Sequence, residues 1–190
     1  MTEPIRFPLL GEPLALDLVN TLALRHGMVV DYLDRPAALS AWLRLERTRV
    51  DWHGPATRAD LAAIWALRDA VDSLLRARLA RVAPPDAALR KLNRSLAGAR
   101  ENVRLEWARS GPRKTTTSAS AVRDRLLRRL ALDALELLTG PDAAKLRACG
   151  HPGCRMLFVA TNPRRQWCST ATCGNRARVS RHYARADKSC

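Results

Sequence analysis

The residues most able to do chemistry are four cysteines near the end of the chain. They follow the pattern Cys149-x4-Cys154-x13-Cys168-x4-Cys173. Zinc prefers four ligands at the corners of a tetrahedron, and two short-looped cysteine pairs supply two corners each. Glycine and proline between Cys149 and Cys154 allow the first loop to turn tightly. The spacing therefore predicts one zinc ion bound by all four thiolates.

The predicted ion is structural, because four thiolates leave no open position for a water molecule. Residues 149–190 number only 42, too few to build a stable core without a staple. We therefore expect chelation to unfold this tail and to spare the rest of the chain. Two disulfides, four buried free thiols, or His151 in place of one sulfur are the alternatives. No secretory signal is visible in residues 1–13, so we expect a cytoplasmic protein, where reduced cysteines favour the metal.

A strongly basic segment follows the fourth cysteine. The chain carries a formal charge of +15, and +7 of it falls in residues 149–190. Arg178, Arg181 and Arg185 repeat at i, i+3 and i+7 and would share one helical face with His182. Such a face suits DNA phosphates and the major groove, whereas a solvated charged surface is the alternative. The predicted nucleic-acid contacts are Arg164, Arg165, Arg176, Arg178, Arg181, His182, Arg185 and Lys188.

The elements that must position these groups are mostly helical. Apolar periodicity predicts helices over 13–25, 36–47, 57–82, about 89–96 and 120–139, and alternation predicts a hairpin of 103–107 with 114–118. In the tail, 156–159 and 165–168 resemble two paired strands before a helix. The predicted fold class is thus mainly α (α+β), with a helical domain over 1–144 and a small zinc-binding domain over 145–190.

Within the helical domain, Asp17, Asn20 and Thr21 form a polar stripe at i, i+3 and i+4. The stripe is either an effector-binding site or an anchor whose side chains satisfy nearby backbone groups. Three tryptophans are expected in the core rather than in a ligand cage, namely Trp42, Trp65 and Trp107.

Cys173-Gly-Asn-Arg176, together with Arg164-Arg165, Trp167-Cys168-Ser169 and the first cysteine pair, resembles the CGNR zinc finger. This resemblance implies a bacterial C-terminal module that binds DNA. Leu14-Ala-Leu-Asp-Leu-Val-Asn-Thr21 is similar to the signature of the ABATE domain, which precedes this finger in a family of stress-induced transcription regulators. For Asn175 and Arg176, contact with DNA and support of the fold both stay open; Asn175 could cap the helix that follows.

The expected function is a DNA-binding transcription regulator, in which the N-terminal domain binds an effector or mediates homodimerisation. The alternative is a zinc-stabilised module that interacts with RNA or protein without sequence-specific DNA binding. No phosphate loop, dinucleotide fingerprint, nucleophile elbow or HExxH motif is visible, so we expect no enzyme. No apolar run is long enough for a transmembrane helix.

Overall fold

A computed structural model describes residues 7–25, 27–99, 102–117 and 120–186. Its helices are α1 (Leu14–Val19), α2 (Pro36–Leu45), α3 (Arg58–Ala80), α4 (Asp86–Ala97), α5 (Val122–Thr139) and α6 (Asn175–Ala186). Its strands form three separate antiparallel pairs: β1 (Leu22–Arg25) with β2 (Met28–Asp31), β3 (Asn102–Ala108) with β4 (Gly111–Thr117), and β5 (Leu146–Ala148) with β6 (Leu157–Val159). The predicted α+β class is confirmed.

The long central helix α3 shows how the sequence sets element ends. The Thr57 hydroxyl accepts from the Asp60 N–H at 3.2 Å, and the Asp60 carboxylate accepts from the Thr57 N–H at 2.8 Å. This reciprocal capping box fixes the start of the helix. At the other end Arg81 takes a left-handed conformation with φ of 57°, which stops the helical hydrogen bonding. Both ends agree with the sequence prediction to within a residue or two.

The prediction of one helix over 13–25 is wrong. α1 ends at Val19, and the chain then turns into β1, which pairs with β2 across a turn at Gly27 with φ of +79°. The turn between α1 and β1 is closed by Thr21, whose backbone N–H and hydroxyl both donate to the Leu18 carbonyl. Helical spacing of leucines over-predicts the helix here because the leucine pattern records neither the Thr21 bonds nor the pairing of β1 with β2.

The hydrophobic core is built on α1, every residue of which is buried. α1 packs against α3 and α5, and α4 packs against the same two helices. Leu146, Leu157 and Val159 belong to the same core cluster as the leucines of α1 and α3. The core therefore continues across the boundary predicted at residue 144. Below, residues 7–144 are called the helical segment and residues 145–186 the C-terminal segment.

The three tryptophans that the sequence places in the core differ in their burial. Trp42 is fully buried and Trp65 is partly buried, its indole N–H donating to the Leu33 carbonyl. Trp107, by contrast, is 78% exposed on β3, so the expectation of a core position is wrong for this residue. The β3–β4 hairpin itself is confirmed, and it lies outside both hydrophobic clusters of the described residues.

Among the described residues, no helix combines the length and the apolar character needed to cross a bilayer.

Candidate zinc centre and nucleic-acid interface

The four predicted ligands converge in the structure. The Sγ atoms of Cys149, Cys154, Cys168 and Cys173 all lie within 4.8 Å of one another. Cys154 and Cys168 are separated by 3.8 Å between sulfurs, and Cys168 and Cys173 by 3.6 Å. A tetrahedral site with Zn–S bonds of about 2.3 Å has sulfur–sulfur edges of about 3.8 Å. The cluster therefore fits one structural zinc ion held by these four thiolates.

These distances are not those of disulfides, since an S–S bond is only about 2.05 Å long, and all four cysteines are free in the structure. His151 does not join the cluster: its Nδ1 accepts from the Gly153 N–H at 3.0 Å and stabilises the first loop. Sulfur–sulfur hydrogen bonds from Cys154 and Cys168 lower the pKa of Cys149, whereas the bond to Cys149 raises the pKa of Cys154 to about 12. Cys149 and Cys154 therefore resist joint ionisation as free thiols, and a divalent cation resolves that conflict because its ligands are deprotonated.

Backbone hydrogen bonds in the short cysteine loops orient the sulfur atoms. The Cys149 N–H donates to the Met156 carbonyl at 2.9 Å, and the Gly150 N–H donates to the Gln166 carbonyl at 3.0 Å. The Cys168 N–H points at the Cys149 sulfur at 3.5 Å. Backbone donors of this kind orient ligands from outside the metal's own coordination sphere.

Trp167 packs between two glycines of the cysteine loops. A Cβ at Gly150 would lie 3.2 Å from the indole, and a Cβ at Gly174 would also lie 3.2 Å from it. Both contacts are tight, so the flat side chain fits because neither position carries a side chain. This gives the Gly174 of the CGNR motif a packing role beside the fourth ligand.

The second loop leads into α6 through a π turn, Thr170–Gly174, closed by the Gly174 N–H donating to the Ser169 carbonyl at 2.9 Å. Ser169 provides the cap, since its hydroxyl accepts from the Thr172 N–H. Asn175 does not cap the helix: its backbone is already helical, and its side chain is 3.5 Å from the Arg178 guanidinium. Sequence reasoning missed the π turn because five residues without periodicity carry no signal for it.

The strand arrangement around the zinc site differs from the prediction. β6 pairs with β5, which precedes the first cysteine, and residues 165–168 do not form a strand. The register is Leu146 with Val159 and Ala148 with Leu157. The Arg165 guanidinium donates to the backbone carbonyls of Val159, Trp167 and Cys168. These bonds take the place of the hydrogen bonds that a strand ladder would make.

β6 is buried on both faces. Leu157 and Val159 face the helical core, whereas Phe158 packs with Met156, Ala160 and the cysteines in a second cluster. Alternation along a strand places successive side chains on opposite faces. One three-residue strand thus joins the zinc centre to the core of the helical segment.

Polar side chains of the helical segment complete the backbone of β6. Asn20 donates to the Leu157 carbonyl and accepts from the Leu157 N–H, both at 2.9 Å. The Glu12 carboxylate accepts from the Val159 N–H at 2.8 Å and from Arg165 at 2.9 Å. Outside β6, Asp72 of α3 holds Arg155 at 2.8 Å. Asn20 and Glu12 act here as a substitute for a neighbouring strand, satisfying buried groups that would otherwise lack partners.

The polar stripe of the helical segment is therefore engaged within the chain. Asp17, Asn20 and Thr21 are each 1–2% exposed. Asp17 pairs with Arg49 at 2.8 Å, and burial raises its pKa although Arg49 opposes that shift. Thr21 accepts from Arg68, whose guanidinium also binds Asp31 through two bonds of 2.7 Å. These contacts favour the anchor interpretation, with Asn20 holding another part of the protein rather than adjacent backbone.

The predicted nucleic-acid contacts divide into groups. Arg164, Arg176 and Arg178 are exposed. Arg165 is half-buried: its guanidinium makes four hydrogen bonds within the protein and lies 4.3 Å from the Phe158 ring centroid. For Arg181, His182 and Arg185 the structure gives the helical backbone of α6, while their side chains and the whole of Lys188 lie outside the described residues.

A groove of about 250 Å³ lies beside the cysteine cluster. Leu9, Leu10 and Arg25 line it from the helical segment, and Met156 and Arg176 from the C-terminal segment, where three of the four zinc ligands also form part of the wall. No aspartate or glutamate lines it, and neither arginine side chain has a hydrogen-bond partner in the described part of the chain. No sequence pattern singled out this groove, because its walls come from residues more than a hundred positions apart.

Comparison with known proteins gives two family matches. Residues 12–141 match the ABATE family, described as a putative stress-induced transcription regulator, and residues 145–186 match the CGNR zinc finger. Neither description is that of an enzyme. A search of curated proteins finds no match. Since the first match spans more than half of the sequence, and the second covers the cysteine cluster, the chain belongs to the ABATE family and carries a CGNR zinc finger at its C-terminal end.

Proposed function

We propose that this protein is a non-catalytic, DNA-binding transcription regulator whose helix α6 contacts the duplex. The observation that carries the proposal is the start of α6 directly after the fourth ligand, with Arg176 and Arg178 exposed. Among the described elements α6 packs mainly on the π turn before it, and the side chains of Val179 and Ser180 in its described part are exposed as well. A braced, accessible basic helix has the form that DNA-binding modules use for phosphate and groove contacts.

Charge supports the same proposal. In residues 175–186 the sequence holds four arginines and no acid: Arg176, Arg178, Arg181 and Arg185. Helical spacing puts Arg178, Arg181 and Arg185 on one side of the helix backbone. Each phosphate neutralised releases counterions and steepens the dependence of log K on log salt by about 0.9.

The test is fluorescence anisotropy of the zinc-loaded chain with a labelled duplex of mixed sequence at several salt concentrations. The variant Arg178→Ala/Arg181→Ala/Arg185→Ala is expected to bind more weakly and to lower the salt slope by up to about 2.7. Arg44→Ala/Arg58→Ala/Arg90→Ala removes the same charge from exposed positions of the helical segment and should retain most of the affinity. Equal loss in both triple variants would mean that net charge alone attracts the DNA. Tighter binding to RNA than to DNA, with the same dependence on α6, would favour the RNA-interaction module instead.

We also propose that the helical segment regulates this binding by accepting an effector in the groove beside the cysteines. The groove combines leucine and methionine side chains with two arginine side chains that have no hydrogen-bond partner among the described residues, which suits a small apolar molecule that carries an anionic group. The probe is 1-anilinonaphthalene-8-sulfonate, an apolar anion whose emission rises on binding. Arg25→Ala should weaken its binding about fivefold or more, while Arg44→Ala should leave it unchanged. Equal binding by both variants would remove the groove as the effector site and leave dimerisation as the role of this segment.

A further inference from the structure

The β3–β4 hairpin carries large apolar side chains that the protein itself does not cover. Leu105 is 73% exposed and Trp107 is 78% exposed. Cross-strand pairing sets Trp107 opposite Pro112 and Leu105 opposite Lys114, so these four side chains share one face of the ribbon. A two-stranded hairpin by itself is marginally stable in water, and an exposed apolar face of this kind marks a binding surface.

The charges around this face identify its occupant. Between residues 104 and 115 the hairpin has four basic residues, Arg104, Arg109, Arg113 and Lys114, and a single acid, Glu106, which already pairs with Arg113 at 2.7 Å. Arg109 lies in the two-residue loop at the tip, between the last pair Ala108 and Gly111. A second copy of this chain would bring like charges together. A nucleic acid instead offers negative phosphates to the basic residues and stacked, apolar base faces to the exposed apolar side chains.

We infer that the β3–β4 hairpin is a second DNA-binding element, a ribbon arm that presses Trp107, Leu105 and Pro112 against the bases while Arg109 and Lys114 bind the flanking phosphates. This inference rests on the proposed DNA-binding function. Proteins that enter the minor groove use basic side chains together with apolar wedges that partly unstack a base step. Two-stranded ribbons of this width fit a DNA groove.

Along the chain, the β3–β4 hairpin precedes α5 and the finger follows it. β4 leads into the start of α5 at Val122, and β5 follows its end at Thr139. Eighteen residues of helix span about 27 Å, which corresponds to about eight base pairs of B-DNA. The inference is therefore tested with duplexes of about 24 base pairs, long enough for both elements to be engaged at once.

The experiment measures anisotropy with the zinc-loaded full chain and three double variants. Leu105→Ala/Trp107→Ala should weaken binding about tenfold, since aromatic contact with bases is lost. Arg109→Ala/Lys114→Ala should lower the salt slope by about 1.8. The matched control Val82→Ala/Arg90→Ala removes an exposed apolar residue and an exposed arginine of the helical segment and should bind as wild type. Tryptophan emission should be quenched by DNA in wild type and less so in Trp107→Leu.

The outcomes separate this inference from the function on which it rests. If hairpin variants bind DNA as wild type while the α6 triple variant loses affinity, the hairpin arm is refuted and the DNA-binding function stands. If neither set of variants loses affinity, both are refuted. If Leu105→Ala/Trp107→Ala leaves DNA binding intact but changes the molar mass measured by light scattering, the hairpin is a self-association surface and the inference is overturned.

Discussion

The β5–β6 and β3–β4 hairpins differ in strand length and in burial, and the shorter hairpin is the more deeply buried of the two. β5–β6 pairs only three residues on each strand, yet β6 is buried on both faces and lies between the helical core and the cysteine cluster. β3–β4 pairs seven residues on each strand, and its largest side chains remain in solvent. The number of ladder hydrogen bonds therefore says little about what a hairpin contributes to stability.

Side chains supplied by other elements make the difference. Asn20 and Glu12 occupy the free edge of β6, and leucines from the helices cover Leu157 and Val159. On β3–β4 the polar contacts are local, such as Arg113 with Glu106 and Thr115 with the Arg104 carbonyl. The β5–β6 hairpin thus connects the cysteine cluster to the helical core, whereas the β3–β4 hairpin leaves large apolar side chains exposed, where a partner can bind.

Zinc removal should have the largest effect, and it should unfold one part of the C-terminal segment while the other part stays folded. Chelation is expected to unfold the cysteine loops and α6, because binding energies on the order of 10–16 kcal/mol hold comparable small sites. β6 should stay ordered, since Asn20 and Glu12 bind its amides without help from the metal. Hydrogen exchange followed by NMR should show the Leu157 and Val159 amides protected in the metal-free chain, while amides of 165–180 lose protection.

The sequence alone predicts that the whole tail unfolds on chelation, whereas the structure restricts the unfolding to the cysteine loops and α6. Amides of α3 serve as the control for the integrity of the helical segment. Equal loss of protection at Val159 and at Cys168 would show that β6 depends on zinc and would break the contrast between the two hairpins.

Asn20→Ala should have the next largest effect. It leaves the Leu157 N–H and carbonyl buried without their partner, and each such group costs about 1–3 kcal/mol, so we expect a loss of about 2–6 kcal/mol in the free energy of unfolding. Thr115→Ala is the matched control, because it also removes a bond from a side chain to a backbone carbonyl, here on the exposed hairpin. Its expected cost is below about 0.5 kcal/mol. Urea denaturation of the zinc-loaded proteins measures both, and similar losses would contradict the assigned roles.

The sequence predicted local features well. Cysteine spacing located the zinc ligands, and the Thr57-x-x-Asp60 pattern located the start of α3, since both depend on residues close in the chain. The β3–β4 hairpin was found for the same reason: alternation records strand pairing across a short turn. Alternation does not record burial, and the core position predicted for Trp107 follows only from the general tendency of tryptophan to be buried.

Features that depend on distant residues could not be predicted. Asn20 and Leu157 are 137 positions apart, and Glu12 and Val159 are 147 apart. Nothing in the sequence around Asn20 distinguishes a side chain that binds an effector from one that completes a strand edge. Arg165 shows the same limit, because its sequence neighbours suggest a phosphate contact while its position places the guanidinium over Phe158.

The smallest predicted effect concerns the exposed hairpin. Trp107→Ala should change the free energy of unfolding by less than about 0.5 kcal/mol, because a side chain that is 78% exposed loses little packing when truncated. Thermal and urea unfolding of the zinc-loaded chain measure this directly, with Asn20→Ala as the destabilised reference. A loss above about 2 kcal/mol would mean that Trp107 is buried in the folded protein in solution, by the chain itself or by a second copy. A loss that grows with protein concentration would identify the second copy, and only a stable, concentration-independent result leaves Trp107 available to DNA.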